Sequence, residues 1–331
     1  MTTPRYDVAG IGNAIVDVLA YAEDAKLAEL GVAKGVMTLI DANAAESVYA
    51  GMEGGVTRSG GSAANTMAGI AALGGRAAFV GKVKDDPLGR IFRRDLRAQG
   101  VDFDTPAASS GAATARCLIM VTPDAQRTMQ TYLGACVELG PQDIDPKLIQ
   151  DSGVTYLEGY LWDPPRAREG LRRAIGYARE AGRKVALTLS DPFCVDRHRD
   201  EFLGLLDGQV DILFANEQEI ASLFQCNFDQ AVGFAGEKVQ LAALTRSARG
   251  SVAVQGKTIA EVPADPVDQL VDTTGAGDLY AAGFLVGNAR GLPLADCARL
   301  GSICASEIIS HIGARPEADL KQLANKAGLL L

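Results

Sequence analysis

Histidine is nearly missing from this 331-residue chain: only His198 and His311 occur. The six cysteines, at positions 117, 136, 194, 226, 297 and 304, form no Cys-x-x-Cys pair. A Cys/His zinc centre is therefore not expected, and thiols scattered this widely read as reduced groups, the state expected in the cytoplasm. Neither histidine has a nucleophile beside it in an elbow pattern, which leaves serine hydrolase chemistry without support. No uncharged apolar run of about 18 residues occurs, and Met1–Asp7 has no apolar signal core, so the expectation is a soluble, cytoplasmic protein with no membrane partner. Positive charge is also in deficit. Asp and Glu outnumber Lys and Arg by 41 to 32, a net charge of −9, and such a field repels phosphate backbones. Nucleic acid is not expected as a partner, and any anionic substrate must be held by local groups.

What is present is a composition able to bury a core, with 47% apolar and 22% charged residues. Short apolar runs at Val8–Ile11, Ala77–Val80, Val154–Leu157, Val185–Leu189, Ile212–Ala215 and Leu241–Leu244 read as strands. Between them, helix-period segments lie at Ser62–Leu73, Leu88–Gln99, Ala167–Ala181, Glu217–Phe224, Asp278–Ala289 and Leu294–Ile309. Strands alternating with helices predict an α/β fold with a mostly parallel sheet covered on both faces. Val36–Ile40, Ala115–Val121 and Thr128–Leu133 break the rhythm and predict a small antiparallel sheet standing off the main one, as a lid.

The most informative segment is Asp272-Thr273-Thr274-Gly275-Ala276-Gly277-Asp278, which leads into the uncharged run Leu279–Ala289. Small residues at a helix start leave backbone N–H groups uncovered, and the helix dipole adds partial positive charge, which makes an anion cradle of Gly275, Ala276 and Gly277. Asp278 stands at its rim, where a carboxylate could take the proton of an alcohol attacking a phosphoryl group. The plainer alternative is an acidic first-turn residue behind a glycine loop. Gly60-Gly61-Ser62-Ala63-Ala64-Asn65 opens a second helix. There a ligand could approach the backbone and Asn65 could bond a sugar hydroxyl, or Ser62 could simply cap the helix. Asp17, within a loop's reach of the strand Val8–Ile11, could take two neighbouring hydroxyls. Asn216 and Glu219 could hold a hydrated Mg²⁺ or a phosphate, although the pair is also a capping box.

Two apparent motifs are rejected. Five residues separate Gly250 from Gly256-Lys257-Thr258 where a phosphate loop requires four, and Val252–Gln255 alternates as a strand, so this stretch reads as a hairpin. Gly10-Ile11-Gly12 lacks the third glycine of a dinucleotide fingerprint.

Taken together, Gly-Gly-x-x-x-Asn at 60–65, Asn-x-x-Glu at 216–219 and Asp-Thr-x-Gly-Ala-Gly-Asp at 272–278 resemble the PfkB family of carbohydrate and nucleoside kinases, the ribokinase-like superfamily. Gly81–Gly89 is similar to the family's turn after an early strand. The resemblance spans essentially the whole chain. It implies one domain over residues 1–331, with a Rossmann-like α/β/α core and a β-lid made by insertions at about 13–20, 35–41 and 112–134. It implies an ATP-dependent phosphotransferase with Asp278 as base and Gly275, Ala276 and Gly277 as anion hole. Asn13, Asp17, Gly60, Gly61 and Asn65 would hold sugar hydroxyls. Thr245, Ser247 and Gly250 would lie near ATP, and Arg127 resembles a lid arginine that closes on phosphate. Asn216 and Glu219 would influence Mg²⁺, while Asp272 and Thr274 stand where many members bind a monovalent cation such as K⁺. Within the family, Asn13–Asp17, Arg127–Cys136 and Leu189-Ser190-Asp191-Pro192-Phe193 look most like adenosine kinases, which sandwich the base between apolar and aromatic side chains. Val36, Leu133, Tyr160, Leu161 and Trp162 fall in comparable segments. The implied partners are small molecules, ATP and a nucleoside or a free sugar, and the oligomeric state, monomer or homodimer, is left open.

Overall fold

The computed structural model describes residues 3–52, 55–124 and 126–329. Among them the strands, numbered along the chain, are β1 (Tyr6–Ile11), β2 (Ile15–Tyr21), β3 (Met37–Leu39), β4 (Val56–Gly60), β5 (Ala77–Val80), β6 (Val101–Asp102), β7 (Ala115–Val121) and β8 (Arg127–Tyr132). They continue with β9 (Ser152–Glu158), β10 (Lys184–Thr188), β11 (Ile212–Asn216), β12 (Leu241–Thr245), β13 (Ser251–Gln255) and β14 (Thr258–Val262). Nine of them form a sheet in the order β14-β13-β12-β11-β10-β9-β1-β5-β6. Pairing from β6 through β12 is parallel, and β12, β13 and β14 close the far edge as antiparallel neighbours.

A parallel sheet needs both faces covered, which is why its strands read as unbroken apolar runs. Alternate residues feed two separate cores. Val8, Phe79, Tyr156 and Phe214 join the helices Ser62–Ala72, Ala276–Ala289 and Leu294–Ile308 on one side. Ile11, Val80, Leu157 and Leu213 join Pro165–Glu180, Pro192–Leu206, Glu217–Phe224 and Phe228–Lys238 on the other. The rejected phosphate-loop stretch is indeed a hairpin: Gln255 of β13 pairs with Thr258 of β14 around Gly256-Lys257. Among the described residues no helix is long and apolar enough to cross a membrane. All six cysteines are free.

The second sheet has the order β3-β8-β7-β2-β4 and is mixed rather than antiparallel. β7 and β8 form the expected hairpin, but β2 pairs with β7, and β3 with β8, in parallel. The reason is connectivity: β2 follows β1 after three residues, whereas β7 arrives only after β5, the helix Pro87–Ala98 and β6, from the same end as β2. Two members, β2 and β4, lacked a strand signal because Asp17 interrupts one and Thr57-Arg58-Ser59 fills the other. Successive side chains point to opposite faces. Val16, Val18, Leu118 and Met120 therefore enter the main core. Asp17 and its cross-strand partner Cys117 lie on the other face, together with Ile119, Val121 and Arg127.

Between the two sheets Phe79, Phe92 and Phe103 meet with ring centroids 5.4–5.9 Å apart, all fully buried. Phe92→Ala leaves a cavity here and is expected to lower the unfolding free energy by about 3–5 kcal/mol. Urea denaturation followed by far-UV circular dichroism checks this; a loss below about 1 kcal/mol would mean that the cluster collapses around the gap.

Candidate active site

The sequence elements singled out as chemistry converge at the carboxyl ends of the parallel strands, where open α/β sheets place ligands. Gly275 caps the helix Ala276–Ala289 at φ 82°, and a Cβ there would stand 2.9 Å from the Ala314 side chain. Glycine is required on both counts. The turn it allows sets Asp278 in the first helical turn. Ala276 N–H is taken by the Thr273 carbonyl at 3.2 Å. Those of Gly275, Gly277 and Asp278 have no acceptor among the described residues, the normal condition of a helix start.

Asp278 is held from the opposite helix. Ser62 Oγ donates to its Oδ1 at 2.6 Å and Asn65 Nδ2 to its Oδ2 at 2.8 Å. The N-cap of that helix is Gly61, not Ser62. Gly61 has φ 93°, and a side chain there would collide with the Asn13 carbonyl. With Gly61 as cap, the Ser62 hydroxyl is free for Asp278. Asn65, expected to meet a sugar, spends its amide within the protein: Nδ2 on Asp278 and Oδ1 on the Arg315 guanidinium. Burial pushes the Asp278 carboxyl above its ordinary range, while Ser62, Asn65 and Arg315 oppose that shift.

Asp17 sits on β2 rather than in a loop, and a side chain at Gly60 would run into its carboxylate. Burial raises it to about 6, against the pull of Arg315 and Arg127; Asp272 and Asp278 add to the rise. Asn13 turns away to Glu158, donating from Nδ2 to Oε1 at 2.6 Å and from its backbone N–H to Oε2 at 3.2 Å. Ala63 N–H adds a third bond at 3.0 Å. Glu158 escaped the sequence reading. It ends the apolar strand β9, and a carboxylate placed there, at the carboxyl edge of a parallel sheet, is the signal that could have found it.

Arg127 reaches from β8 to Asp272 Oδ1 and Thr274 Oγ1, joining the small sheet to the 272–278 segment. Asp272 also accepts from Thr274 N–H at 3.0 Å and Gly313 N–H at 2.9 Å. Asn216 and Glu219 form a full capping box, with Asn216 N–H on Glu219 Oε2 at 2.9 Å and Asn216 Nδ2 on Oε1 at 2.6 Å. Burial lifts Glu219 to about 7, with Asp191 and Asp278 adding to the rise. The turn holding Thr245, Ser247 and Gly250 is tied to this helix start by an ion pair between Arg249 and Glu217. Tyr160 lies half-buried with its hydroxyl 3.4 Å from the Ser190 carbonyl, and Leu133 is half-buried at the start of a short 3₁₀ turn. Leu161 and Trp162 belong to the second core instead. Both are fully buried, and Trp162 Nε1 bonds Glu201 at 3.0 Å with the ring packed on Phe202.

Among the described residues no group of three or more His, Cys, Asp or Glu is arranged to hold a metal. Asn216 and Glu219 are closed on each other by the capping box, both Glu219 oxygens accepting from Asn216. Asp272 and Thr274 do not fit a further cation while the Arg127 guanidinium engages both.

Fold and site together define a ribokinase-like α/β kinase, and solved structures share the architecture nearly end to end. The adenosine kinase from Sinorhizobium meliloti is 52% identical, with a TM-score of 0.90 over 98% of this chain and 99% of that one. The probable sugar kinase protein from Rhizobium etli CFN 42 is 48% identical, with a TM-score of 0.91 over 99% and 100%. The ATP-dependent ribose-1-phosphate kinase of Halopiger xanaduensis is 30% identical over 229 residues, 68% of this chain and 72% of its own. Residues 36–320 match the pfkB family carbohydrate kinase domain, and the chain belongs to that family.

The raised carboxyls carry a pH signature. Burial lifts Glu158 from an ordinary value of 4.5 to about 7. Between those values the folded state keeps a proton that the unfolded chain has released, so stability falls as pH rises. Glu219, Asp17 and Asp278 act in the same direction. Calorimetry of the ligand-free protein is expected to give a melting temperature that drops across this window, and Glu158→Gln should flatten the slope. An unchanged slope in that variant would remove Glu158 from the account.

Proposed function

We propose that this kinase phosphorylates the 5′-hydroxyl of adenosine, converting ATP and adenosine to ADP and AMP. The observation that carries the reading is the carboxylate of Asp278, fixed by Ser62 and Asn65 at a helix start beside N–H groups without acceptors. Asp278 takes the hydroxyl proton as the oxygen attacks the γ-phosphorus and the bond to the β,γ-bridging oxygen breaks. The N–H groups of Gly275, Gly277 and Asp278 face the charge that spreads over the equatorial oxygens. A base whose proton affinity is raised by burial is better matched to neutral pH than an exposed aspartate. Asp17 takes the ribose diol at the rim of the small sheet, next to Gly60. Arg127 is the small sheet's contact to phosphate, and Thr245, Ser247 and Gly250 line the nucleotide end. Mg²⁺ arriving with ATP would supply charge neutralisation at the phosphates, and Asn216 and Glu219 would be the residues acting on it through water. No step is assigned to a monovalent cation.

Adenosine as acceptor is supported by the likeness to the Sinorhizobium meliloti adenosine kinase. A second support is the stretch Leu189-Ser190-Asp191-Pro192-Phe193, which resembles adenosine kinases and in which Phe193 is 74% exposed. A free-sugar acceptor is the second reading. It is favoured by the burial of Leu161 and Trp162 in the core, which thins the aromatic wall a base would need.

Steady-state ADP release with adenosine, inosine, ribose and fructose separates the readings: adenosine is expected to give the highest kcat/KM, and a preference for ribose or fructose would overturn the nucleoside assignment. Asp278→Asn is expected to keep fold and ATP binding while turnover falls by about 10²–10⁴. Wild-type turnover in that variant would exclude Asp278 as the base. Asp17→Ala should raise the acceptor KM, and an unaltered KM would exclude the diol contact.

A further inference from the structure

Arg315 is 7% exposed, in the loop that follows the helix Leu294–Ile308. Its guanidinium donates from Nη1 to Asn65 Oδ1 and from Nη2 to Ser59 Oγ at 3.1 Å. Ser59 is in turn anchored, its N–H and hydroxyl both donating to Asp95 Oδ2 at 2.7 and 2.6 Å. The same loop leans on the cradle: Gly313 N–H bonds Asp272 Oδ2, and Ala314 packs beside Gly275.

We propose that Arg315 is a positioning residue for the phosphoryl-transfer step, acting on Asp278 through the side-chain amide of Asn65. The argument is one of hydrogen-bond polarity. A guanidinium only donates, so the end of the amide facing it must be the oxygen. The NH₂ end is then forced toward Asp278, which only accepts when ionised. Arg315 thereby excludes the flipped amide, in which oxygen would face carboxylate and repel it. Because both donors of the fork have acceptors on different elements, the guanidinium plane is fixed, and with it the amide. Its charge acts on the same group. Arg315 is the cation facing Asp278, and it shares Asp17 with Arg127; Glu158 and Glu219 face Asp278 as further anions, Asp272 and Asp278 face Asp17, and Asp272 is itself paired with Arg127. An arginine kept only for packing the loop would be indifferent to the orientation of Asn65.

The inference rests on Asp278 being the base, and the experiment separates the two. Arg315→Met, Arg315→Lys, Asn65→Ala, Arg315→Met/Asn65→Ala and Asp278→Asn are compared by kcat, KM for ATP and thermal melting. Arg315→Met is expected to lower kcat by about 10²-fold, the effect of a small misplacement of a reacting group, with KM for ATP within about twofold of wild type. Arg315→Lys, which keeps charge but loses the fork, should fall between Met and wild type. In the Asn65→Ala background, Arg315→Met should cost less than about twofold more, because the connector is already gone. A folded Arg315→Met with wild-type kcat, or losses that multiply in the double variant, would overturn the proposal while leaving Asp278 as base. If Arg315→Met does not fold, Arg315→Lys decides: a lowered kcat at unchanged KM for ATP supports it, and wild-type kcat overturns it. Full turnover in Asp278→Asn would instead sink the underlying reading.

Discussion

The arrangement depends on holding several carboxylates together at one edge of a sheet. Asp17, Glu158, Glu219, Asp272 and Asp278 all lie there, and gathering charge away from water carries a cost that shows in the raised carboxyls of Asp17, Glu158, Glu219 and Asp278. Different devices answer that cost. Glu158 gathers three N–H donors, Glu219 is closed into a helix cap, and Asp272 is matched by Arg127 and two backbone amides. Asp278 is left with two uncharged donors and one cation at a remove. It has fewer donors than Glu158 or Asp272, which suits the proton-accepting role proposed for it.

The fold supplies this edge by ordinary means. The parallel strands end together, and each is followed by a turn or helix start that brings one polar group to the same side: Asn13 after β1, Glu158 at the end of β9, Asn216 at the end of β11, Thr245 at the end of β12. The helix Ala276–Ala289 adds Asp278, and its fully buried middle, from Leu279 to Phe284, fixes the first turn against the main core. Glycine at 61 and 275 makes both approaches possible.

Much of this was legible in the sequence. The apolar runs of β1, β5, β9, β10, β11 and β12 mark buried parallel strands, and the segments 60–65, 216–219 and 272–278 stand out by composition. What was hidden is long-range. The parallel pairing of β2 with β7 depends on the route of the chain between them, not on either strand's residues. Leu161 and Trp162 looked like pocket residues because a 3₁₀ turn after β9 gives no clue to which face it covers. Arg315 lies in a Gly-Ala-Arg-Pro loop with no motif, 250 residues from Asn65, and only the folded chain brings them together.

The junction at Gly60 and Gly61 has one more consequence. β4, an edge strand of the small sheet, runs straight into the helix whose first residue, Ser62, grips Asp278. The small sheet also shares the main core through Val16, Val18, Leu118 and Met120, so it is no free flap. Any displacement of that sheet against the larger one would therefore be carried along two residues of backbone to the oxygen atoms of the carboxylate. Were the small sheet to close over a ligand, seating it and aligning the proposed base would be one mechanical event.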